Sequence, residues 1–468
     1  MATVVNLRKI VDRKLWEMCT PAPVATGAGQ FIASAVQHCQ TKLLVQSISV
    51  HYMYFPEEDG FIQIPSGALA GTFGAGACGV GVTGGPSGTA TAGSTTTLTT
   101  NLTIARDLRG YKIHITGGPC AGDILDITSN TVGANAVITT AGFSGTITAA
   151  STYRLLTPRW YVINAGTLAA NVFKYYDFAL NTWTAVTQTG LPATISTDSV
   201  LVATSSMRNG SFVSFASGTA TAGGASTLTN GAKTWTVNQW TSYQIRITAG
   251  TGLGQFRTIA SNTGTVITVS AAWTTVPDAT SVYTIEGCDD FLYYTGSAGT
   301  AVARYSISAN SWSAMAVRTA PGAGMSATWI DGVTDALWTS ENAIINGRRI
   351  YSFRGGGGAV LDYYDIPSNT WTSAVAYSPA TETFTTGAKY VDAANGSIYI
   401  QSLATGRWFR YDVGKNGMYP WNTMTYTQST AVVGNTAFMV IFTDGATTLK
   451  WVYMILNTST VMLRCLVI

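Results

Sequence analysis

The stretch Ile350-Tyr-Ser-Phe-Arg-Gly-Gly-Gly-Gly-Ala-Val-Leu-Asp-Tyr-Tyr-Asp-Ile-Pro-Ser-Asn-Thr-Trp371 decides how the rest of the chain is read. An aromatic strand at 350–353 runs into Gly355 and Gly356, and a second strand brings Tyr364. A turn built on Asn369 then returns the chain to Trp371. Aromatic residues favour strands, glycine lets backbones crowd, and Asn or Ser reverses the chain. Two counterparts of the closing octapeptide are Tyr176-Asp-Phe-Ala-Leu-Asn-Thr-Trp183 and Tyr305-Ser-Ile-Ser-Ala-Asn-Ser-Trp312. A lengthened copy reads Tyr411-Asp-Val-Gly-Lys-Asn-Gly-Met-Tyr-Pro-Trp421. Apolar strands at 160–163, 291–294 and 397–400 precede these three. A spacing of about 50–60 residues between the last three tryptophans suits one four-stranded sheet per unit.

A second repeat is nested in the first. Ser87-Gly-Thr-Ala-Thr-Ala-Gly93 recurs as Ser217-Gly-Thr-Ala-Thr-Ala-Gly223. Tyr111-Lys-Ile-His-Ile-Thr116 answers to Tyr243-Gln-Ile-Arg-Ile-Thr248, and Ser129-Asn-Thr131 to Ser261-Asn-Thr263. Val137-Ile-Thr139 matches Val266-Ile-Thr268, and the copies close on Tyr153 and Tyr283. This is a duplicated module of about 65–75 residues. Alternation of Tyr243, Ile245 and Ile247 with Gln244 and Arg246 predicts strands, hence a small antiparallel β-sandwich or barrel. Gly250, Gly252 and Gly254 superficially resemble a phosphate loop. A dinucleotide fingerprint needs a helix to follow, and 255–260 reads as strand, so these glycines are read as hairpin turns. Trp183 and Trp312 lie too far apart for one unit, and the excess is the module.

The order apolar strand, double glycine, Tyr-Asp, short turn and Trp resembles the Kelch-type β-propeller repeat over residues 159–421. Residues 350–371 fit it almost completely. The other copies lose the second glycine or, at Ser306, the Asp. The resemblance implies an all-β fold: a Kelch-like propeller of about five blades with two inserted β-modules and a short N-terminal helical arm. The arm is placed at 1–40, the propeller at 41–67, 158–216 and 287–468, and the modules at 68–157 and 217–286. Strands at 44–55 and 199–204 are read as host-blade strands ahead of each interruption. C-terminal strands at 437–442, 449–456 and 461–468 supply a last blade, completed by N-terminal residues that pin the ring shut. Leu7, Ile10, Val11, Leu15 and Trp16 predict an amphipathic helix over 5–19, ended by Thr20-Pro-Ala-Pro23. This arm either docks on its own propeller or clasps a neighbouring subunit.

Composition narrows the function. Only 10% of the 468 residues are charged and the net charge is +3, which excludes a polybasic nucleic-acid binder, an acidic tail and a disordered chain. The apolar stretch 437–468 is cut by Asp444, Lys450 and Asn457, well short of about 20 apolar residues for a membrane span. The first 14 residues lack the apolar segment of a secretory signal. Six cysteines without a CxxC pair are expected to be buried thiols made in a reducing cytoplasm. His38, His51 and His114 are too dispersed for a metal site or triad, and a Kelch-type copper oxidase would need a histidine beyond His114. Glu57-Glu58-Asp59 and Asp289-Asp290 are read as solvated turns, and Lys14, Arg348 and Arg349 as surface or interface charges. No Asp-box spacing and no Gly-x-Ser-x-Gly elbow occurs. The expectation is a protein with no catalytic, cofactor-binding or metal residues.

Residues 217–286 look like a small β-module found in structural proteins of tailed bacteriophages. The strongest part is Gly254-Gln-Phe-Arg-Thr-Ile-Ala-Ser-Asn-Thr263, with Trp273 and Pro277-Asp-Ala-Thr280. The first copy departs from it, with Asp123 for the Gln and neither the Trp nor Pro-Asp-Ala-Thr. The opening Asn6-Leu-Arg-Lys-Ile10, Trp16-Glu-Met18 and Pro21-Ala-Pro23 is similar to the start of such virion proteins. The resemblance implies a non-enzymatic virion component of the neck, collar or tail, with a nozzle or adaptor ring among the positions it fits. Its partners would be copies of itself and head–tail connector or tail proteins, with no sequence-specific nucleic acid. It would be assembled in the host bacterial cytoplasm, its inserts projecting or bridging neighbours. The alternative is a carbohydrate- or receptor-binding propeller of the tail, whose host glycan would lie in a groove of exposed Trp or Tyr. A secreted adhesin would need a cleaved signal.

Overall fold

Runs of aromatic and β-branched residues broken by Asn, Asp and Gly turns give strands, and every regular element among the described residues is a strand. The computed structural model describes residues 17–23, 32–35, 42–46, 50–66, 78–164, 166–167, 172–191, 194–195, 199–204, 207–208, 211–212, 214–296, 301–319, 326–329, 348–353, 360–376, 389–393, 397–401, 407–423, 436–444, 447–455 and 460–467. Among them are six four-stranded antiparallel sheets and two seven-stranded ones.

Sheet I is Ile32–Ala35, Lys42–Gln46, His51–Phe55 and Gly60–Ile64, in that order. Sheet II is Cys78–Thr83, Pro158–Ile163, Phe173–Asp177 and Thr182–Ala185, and sheet III is Val200–Ala203, Phe291–Thr295, Val302–Ser306 and Ser311–Ala314. Sheet IV is Ser326–Trp329, Arg349–Phe353, Val360–Asp365 and Thr370–Ala376. Sheet V is Lys389–Ala393, Ser397–Gln401, Arg407–Asp412 and Gly417–Thr423. Sheet VI joins the two ends of the sequence: Thr436–Asp444, Thr447–Ile455 and Met462–Val467 are followed outward by Glu17–Met18, with Glu17 opposite Arg464. The first strands neighbour one another in the order I, II, III, IV, V, VI, and that of VI lies against that of I.

Burial runs across each sheet. Second strands such as Phe291–Thr295 and Ser397–Gln401 are buried at every residue, whereas in the last strand Ser311–Ala314 only Trp312 is buried. The apolar cores therefore sit between consecutive sheets. Tyr161 and Phe173 of sheet II meet Leu292 and Tyr305 of sheet III, Phe353 and Leu361 of IV meet Ile398 and Phe409 of V, and Tyr453 of VI meets Tyr54 of I. Each such large side chain contributes about 1.5–3 kcal/mol on leaving water.

The two inserts occupy equivalent places, between first and second strand of sheets II and III. The first runs Ser87–Thr89, Ala92–Gly93, Thr97–Thr99, Lys112–Gly117, Ile124–Asn130, Val137–Thr140 and Thr152–Leu156. The second, from Ser214–Thr219 to Val282–Glu286, has the same strand order. Even the ladder irregularities match, at Ile115/Gly117 and Ile247/Ala249 and again at Ile127/Ser129 and Ile259/Ser261. The second irregularity lets one strand pair first with one half of the sheet and then with the other, folding it over Leu98, Ile113, Ile138 and Tyr153.

Three expectations change. Cys78–Thr83, placed in the insert 68–157, pairs with Pro158–Ile163 and belongs to sheet II. Ile32–Ala35, placed in the arm, and residues 42–64, placed with 158–216, form a sheet of their own, so six four-stranded sheets stand where about five units were counted. At the end of the helix expected over 5–19, Glu17–Met18 is a strand, because pairing to Met462–Val467 outweighs local periodicity; residues 1–16 lie outside the described residues. The N-terminal completion of the last sheet is as expected.

Candidate functional site

The Tyr–Asn–Trp signature builds one repeated clamp. The turn after each third strand ends on an Asn with left-handed backbone, φ 53° at Asn181, 47° at Asn310, 52° at Asn369 and 49° at Asn416. Asn tolerates this region better than most residues. Its Oδ1 accepts the hydroxyl of the Tyr five residues earlier: Tyr176 at 2.6 Å, Tyr305 and Tyr364 at 2.8 Å, and Tyr411 at 2.7 Å. Tyr and Trp face each other across the ladder as Tyr176–Trp183, Tyr305–Trp312 and Tyr364–Trp371, with ring centroids 5.1–5.4 Å apart.

The clamp closes on the neighbouring sheet. Trp312 Nε1 donates to the Thr187 carbonyl (3.1 Å) while the Thr187 N–H donates to Asn310 Oδ1 (3.0 Å). Trp371 Nε1 donates to the Ala316 carbonyl (3.0 Å) and the Ala316 N–H to Asn369 Oδ1 (2.9 Å). Both backbone groups of the residue just past one sheet's last strand are thus held by the next sheet's turn. Trp183 Nε1 donates to the Pro65 carbonyl (2.7 Å), and Asn416 Nδ2 to that of Ala376 (2.9 Å).

Sheet I carries a copy that the sequence did not reveal. Tyr54 donates to Asp59 Oδ1 at 2.5 Å, Asp59 has φ 48°, and Phe61 sits opposite Tyr54. Asp replaces Asn and Phe replaces Trp, so only the spacing of five and seven residues signals it. The Thr20 N–H, just past Glu17–Met18, donates to both Asp59 oxygens at 2.9 and 3.1 Å, binding sheet VI to sheet I. Burial raises the Asp59 carboxyl pKa, but the Tyr54 and Thr20 hydrogen bonds outweigh it and hold the pKa below the usual value.

Sheet V corrects another reading. The residue opposite Tyr411 is Met418, fully buried, so the turn is not lengthened and Trp421 is not the equivalent tryptophan. Trp421 instead packs on Tyr399, and its Nε1 is buried without an acceptor among the described residues. Gly355 and Gly356 lie outside the described residues.

The Asp after each Tyr caps its turn: Asp177 accepts from the Leu180 N–H, Asp365 from Ser368 and Asp412 from Lys415, each at 3.1 Å. Where Ser306 replaces Asp, its hydroxyl takes the Ala309 N–H (3.2 Å), and Asp290 receives Ser306 and Ser308. Asp289-Asp290 is therefore not a solvated turn: Asp289 is buried and pairs with Arg154 at 3.2 Å. Arg348 pairs with Asp365 at 3.2 Å, and Arg349 stacks on Tyr363.

Residues repeated between the inserts clip their own loops. Asn130 Oδ1 accepts the Leu108 N–H (2.7 Å) and its Nδ2 donates to the Arg106 carbonyl (2.9 Å); Asn262 does the same for Trp240 and Thr236. Gln255 accepts from the Thr274 and Thr275 N–H groups and donates to the Gly252 and Thr275 carbonyls. The Asp123 carboxylate, in its place, accepts the Ser144 N–H (2.7 Å).

No protein-family model matches the chain, and no curated protein matches it.

The inserts meet each other through equivalent turns, Gly122 against Leu253 and Gly254. His114 of the first lies 6.0 Å from Phe256 of the second and 6.5 Å from Phe212. Burial lowers its pKa to about 3, helped by Arg246 and Arg154. Arg246 pairs with buried Glu286 at 2.5 Å, and burial pushes that carboxyl up to about 7. Arg106 of the first insert donates to Tyr176 and Asn181, both at 2.8 Å, seating it on the sheet II clamp.

The five described cysteines are buried thiols, and Cys39 and His38 lie outside the described residues. Among the described residues no group of three His, Cys, Asp or Glu could hold a metal, and no helix is long and apolar enough to cross a membrane.

Proposed function

We propose that the six four-stranded sheets are the blades of a Kelch-like β-propeller closed by the N-terminal strand. On this reading the chain is a non-enzymatic structural component of a tailed-bacteriophage virion, in its neck, collar or tail. It works by packing against copies of itself and against connector or tail proteins. One observation carries the mechanical part: the side chains of the repeat are spent on holding neighbouring sheets together, through Tyr–Asn bonds inside a sheet and Trp and Asn bonds across the junction. The cyclic order of first strands and the Thr20–Asp59 bond support closure. The virion assignment rests on the resemblance of residues 217–286 to a phage structural module.

The receptor-binding alternative calls for exposed aromatic side chains, and burial of Tyr176, Tyr305, Trp312, Tyr364 and Tyr411 between sheets favours packing instead. Mass spectrometry of purified particles encoded by the same genome tests the assignment. Stoichiometric recovery of the chain is expected, and its absence from particles overturns the reading.

A further inference from the structure

Gly60–Ile64, Thr182–Ala185, Ser311–Ala314 and Thr370–Ala376 are the last strands of sheets I–IV, and among the described residues no strand pairs with their outer edges. An open edge offers a row of N–H and C=O groups, and proteins ordinarily guard it with charge, proline or a cover. Among the described residues these four carry neither charge nor proline: they read Gly-Phe-Ile-Gln-Ile, Thr-Trp-Thr-Ala, Ser-Trp-Ser-Ala and Thr-Trp-Thr-Ser-Ala-Val-Ala, and only the last has a bulge and a terminal carbonyl, that of Ala376, already bonded to Asn416. The last strands of the other two sheets are guarded. Gly417–Thr423 contains Pro420, and Glu17–Met18 carries Glu17 in an ion pair with Arg464 at 3.1 Å. The edges without charge or proline thus belong to four consecutive sheets, and those with them to the remaining two.

The absence of charge bears on what covers these edges. A strand that pairs antiparallel with its own copy about a two-fold axis sets each residue against itself or a near neighbour, so any charge would meet its like. A different partner could instead be met by complementary charge. Thr182, Thr184, Ser311, Ser313 and Thr372 are exposed and uncharged, and hydroxyl pairs of this kind stabilise cross-strand contacts. Val317, just past Ser311–Ala314, is 70% exposed and adds apolar area beside them.

We propose that a second copy of this chain adds edge to edge at one of the outer edges of sheets I–IV, by antiparallel strand pairing. This rests on the reading of the protein as a self-assembling packing component and names the surface it uses. The test is sedimentation velocity on the full chain over a concentration series, with the triple variant Thr184→Lys, Ser313→Lys and Thr372→Lys beside wild type. All three side chains are exposed, so the melting curve should be unchanged, while self-association should weaken by about tenfold or more. Val132→Lys, at an exposed turn of the first insert, should leave association as it is. Hydrogen exchange keeps the test open should the triple variant misfold: amides of Thr182–Ala185 and Ser311–Ala314 in wild type should slow as concentration rises. Wild type that is monomeric throughout, a folded triple variant that assembles like wild type, or edge amides indifferent to concentration each overturn the proposal. Recovery of the chain in particles is scored separately, so the virion reading can stand while this edge assignment falls, or the reverse.

Discussion

Gly254 of the second insert lies with its Cα against the backbone of Gly122, its counterpart in the first. A Cβ at Gly254 would run into the Gly122 amide and the Ala121 carbonyl carbon, and the φ of 86° is itself one that side chains avoid. Two copies of one module therefore touch through the same turn, which ties the inserts of two consecutive sheets into one body.

Gly254→Ala tests that contact against a control in the same turn. Gly252 also has positive φ (84°), and a Cβ there meets the hydrogen-bonded Gln255 amide and, at 3.3 Å, the Thr275 carbonyl oxygen, both within its own insert. Gly252→Ala should cost about 1–2 kcal/mol for the backbone and about 1 kcal/mol more for displacing the Gln255 amide. Gly254→Ala should cost a further 1–3 kcal/mol or so, because backbone cannot yield as a side chain does. Denaturant midpoints measure both, and equal losses would show that the inserts do not press on each other.

Asp59 is the clamp that joins sheet VI to sheet I. Asp59→Ala removes the acceptor for Tyr54 and Thr20 and should cost about 2–3 kcal/mol, while Asp59→Asn keeps the group found at the other four turns. Because the folded carboxyl titrates below its ordinary value, its stabilisation is complete above the unfolded pKa and is lost as pH falls through the folded one. Asp59→Asn should therefore lose less stability than wild type on acidification below about pH 4. Labelling of Cys19, buried beside this joint, reports its opening: Asp59→Ala should react faster than wild type. Unchanged labelling would argue that Cys19 is held by the strand ladder alone.

The clamp between sheets III and IV separates backbone from side-chain effects. Asn369→Gly keeps the left-handed turn but loses the bonds to Tyr364 and the Ala316 N–H, and should cost about 1–3 kcal/mol. Asn369→Ala adds about 1–2 kcal/mol for the φ of 52°. Should the two variants melt together, the backbone conformation contributes nothing measurable.

Acid stability follows from groups whose titration burial shifts. Burial lowers the pKa of His51 to about 4 and of His114 to about 3 from 6.5, so the unfolded chain takes up their protons first and stability falls as pH drops below 6.5. Glu286, raised to about 7 from 4.5 by burial, acts in the opposite sense and adds stability as pH falls between those values. The two histidines together outweigh Glu286, so stability should fall as pH drops between roughly 6 and 4.5, with the Asp290 carboxyl, raised by burial, opposing the fall. His114→Gln should flatten that slope by about one proton, as measured by urea unfolding at stepped pH. A slope equal to wild type's would mean His114 is protonated in the folded chain.

How far the sequence reached can be followed residue by residue. Tyr364, Asn369 and Trp371 were legible because their spacing is fixed by a four-residue turn, and a turn is local chemistry. Asp59 and Phe61 fill the same positions but went unseen, since a carboxylate accepts the Tyr54 hydroxyl as an amide does and Phe packs where Trp would. Trp421 misled for the complementary reason: a tryptophan near the right place drew attention from Met418, which the ladder sets opposite Tyr411.

From the sequence alone came the strands, the two nested repeats and the entry of a module into consecutive units, because alternation, turn residues and self-similarity are written along the chain. The tertiary structure decided which strands share a sheet, that Glu17–Met18 abandons helical periodicity for the edge beside Arg464, that Asp289 is buried against Arg154, and that Gly122 finds Gly254. Each of these depends on groups far apart in sequence being brought into contact. The free energy of such a contact belongs to the pair, so neither residue's local pattern records it.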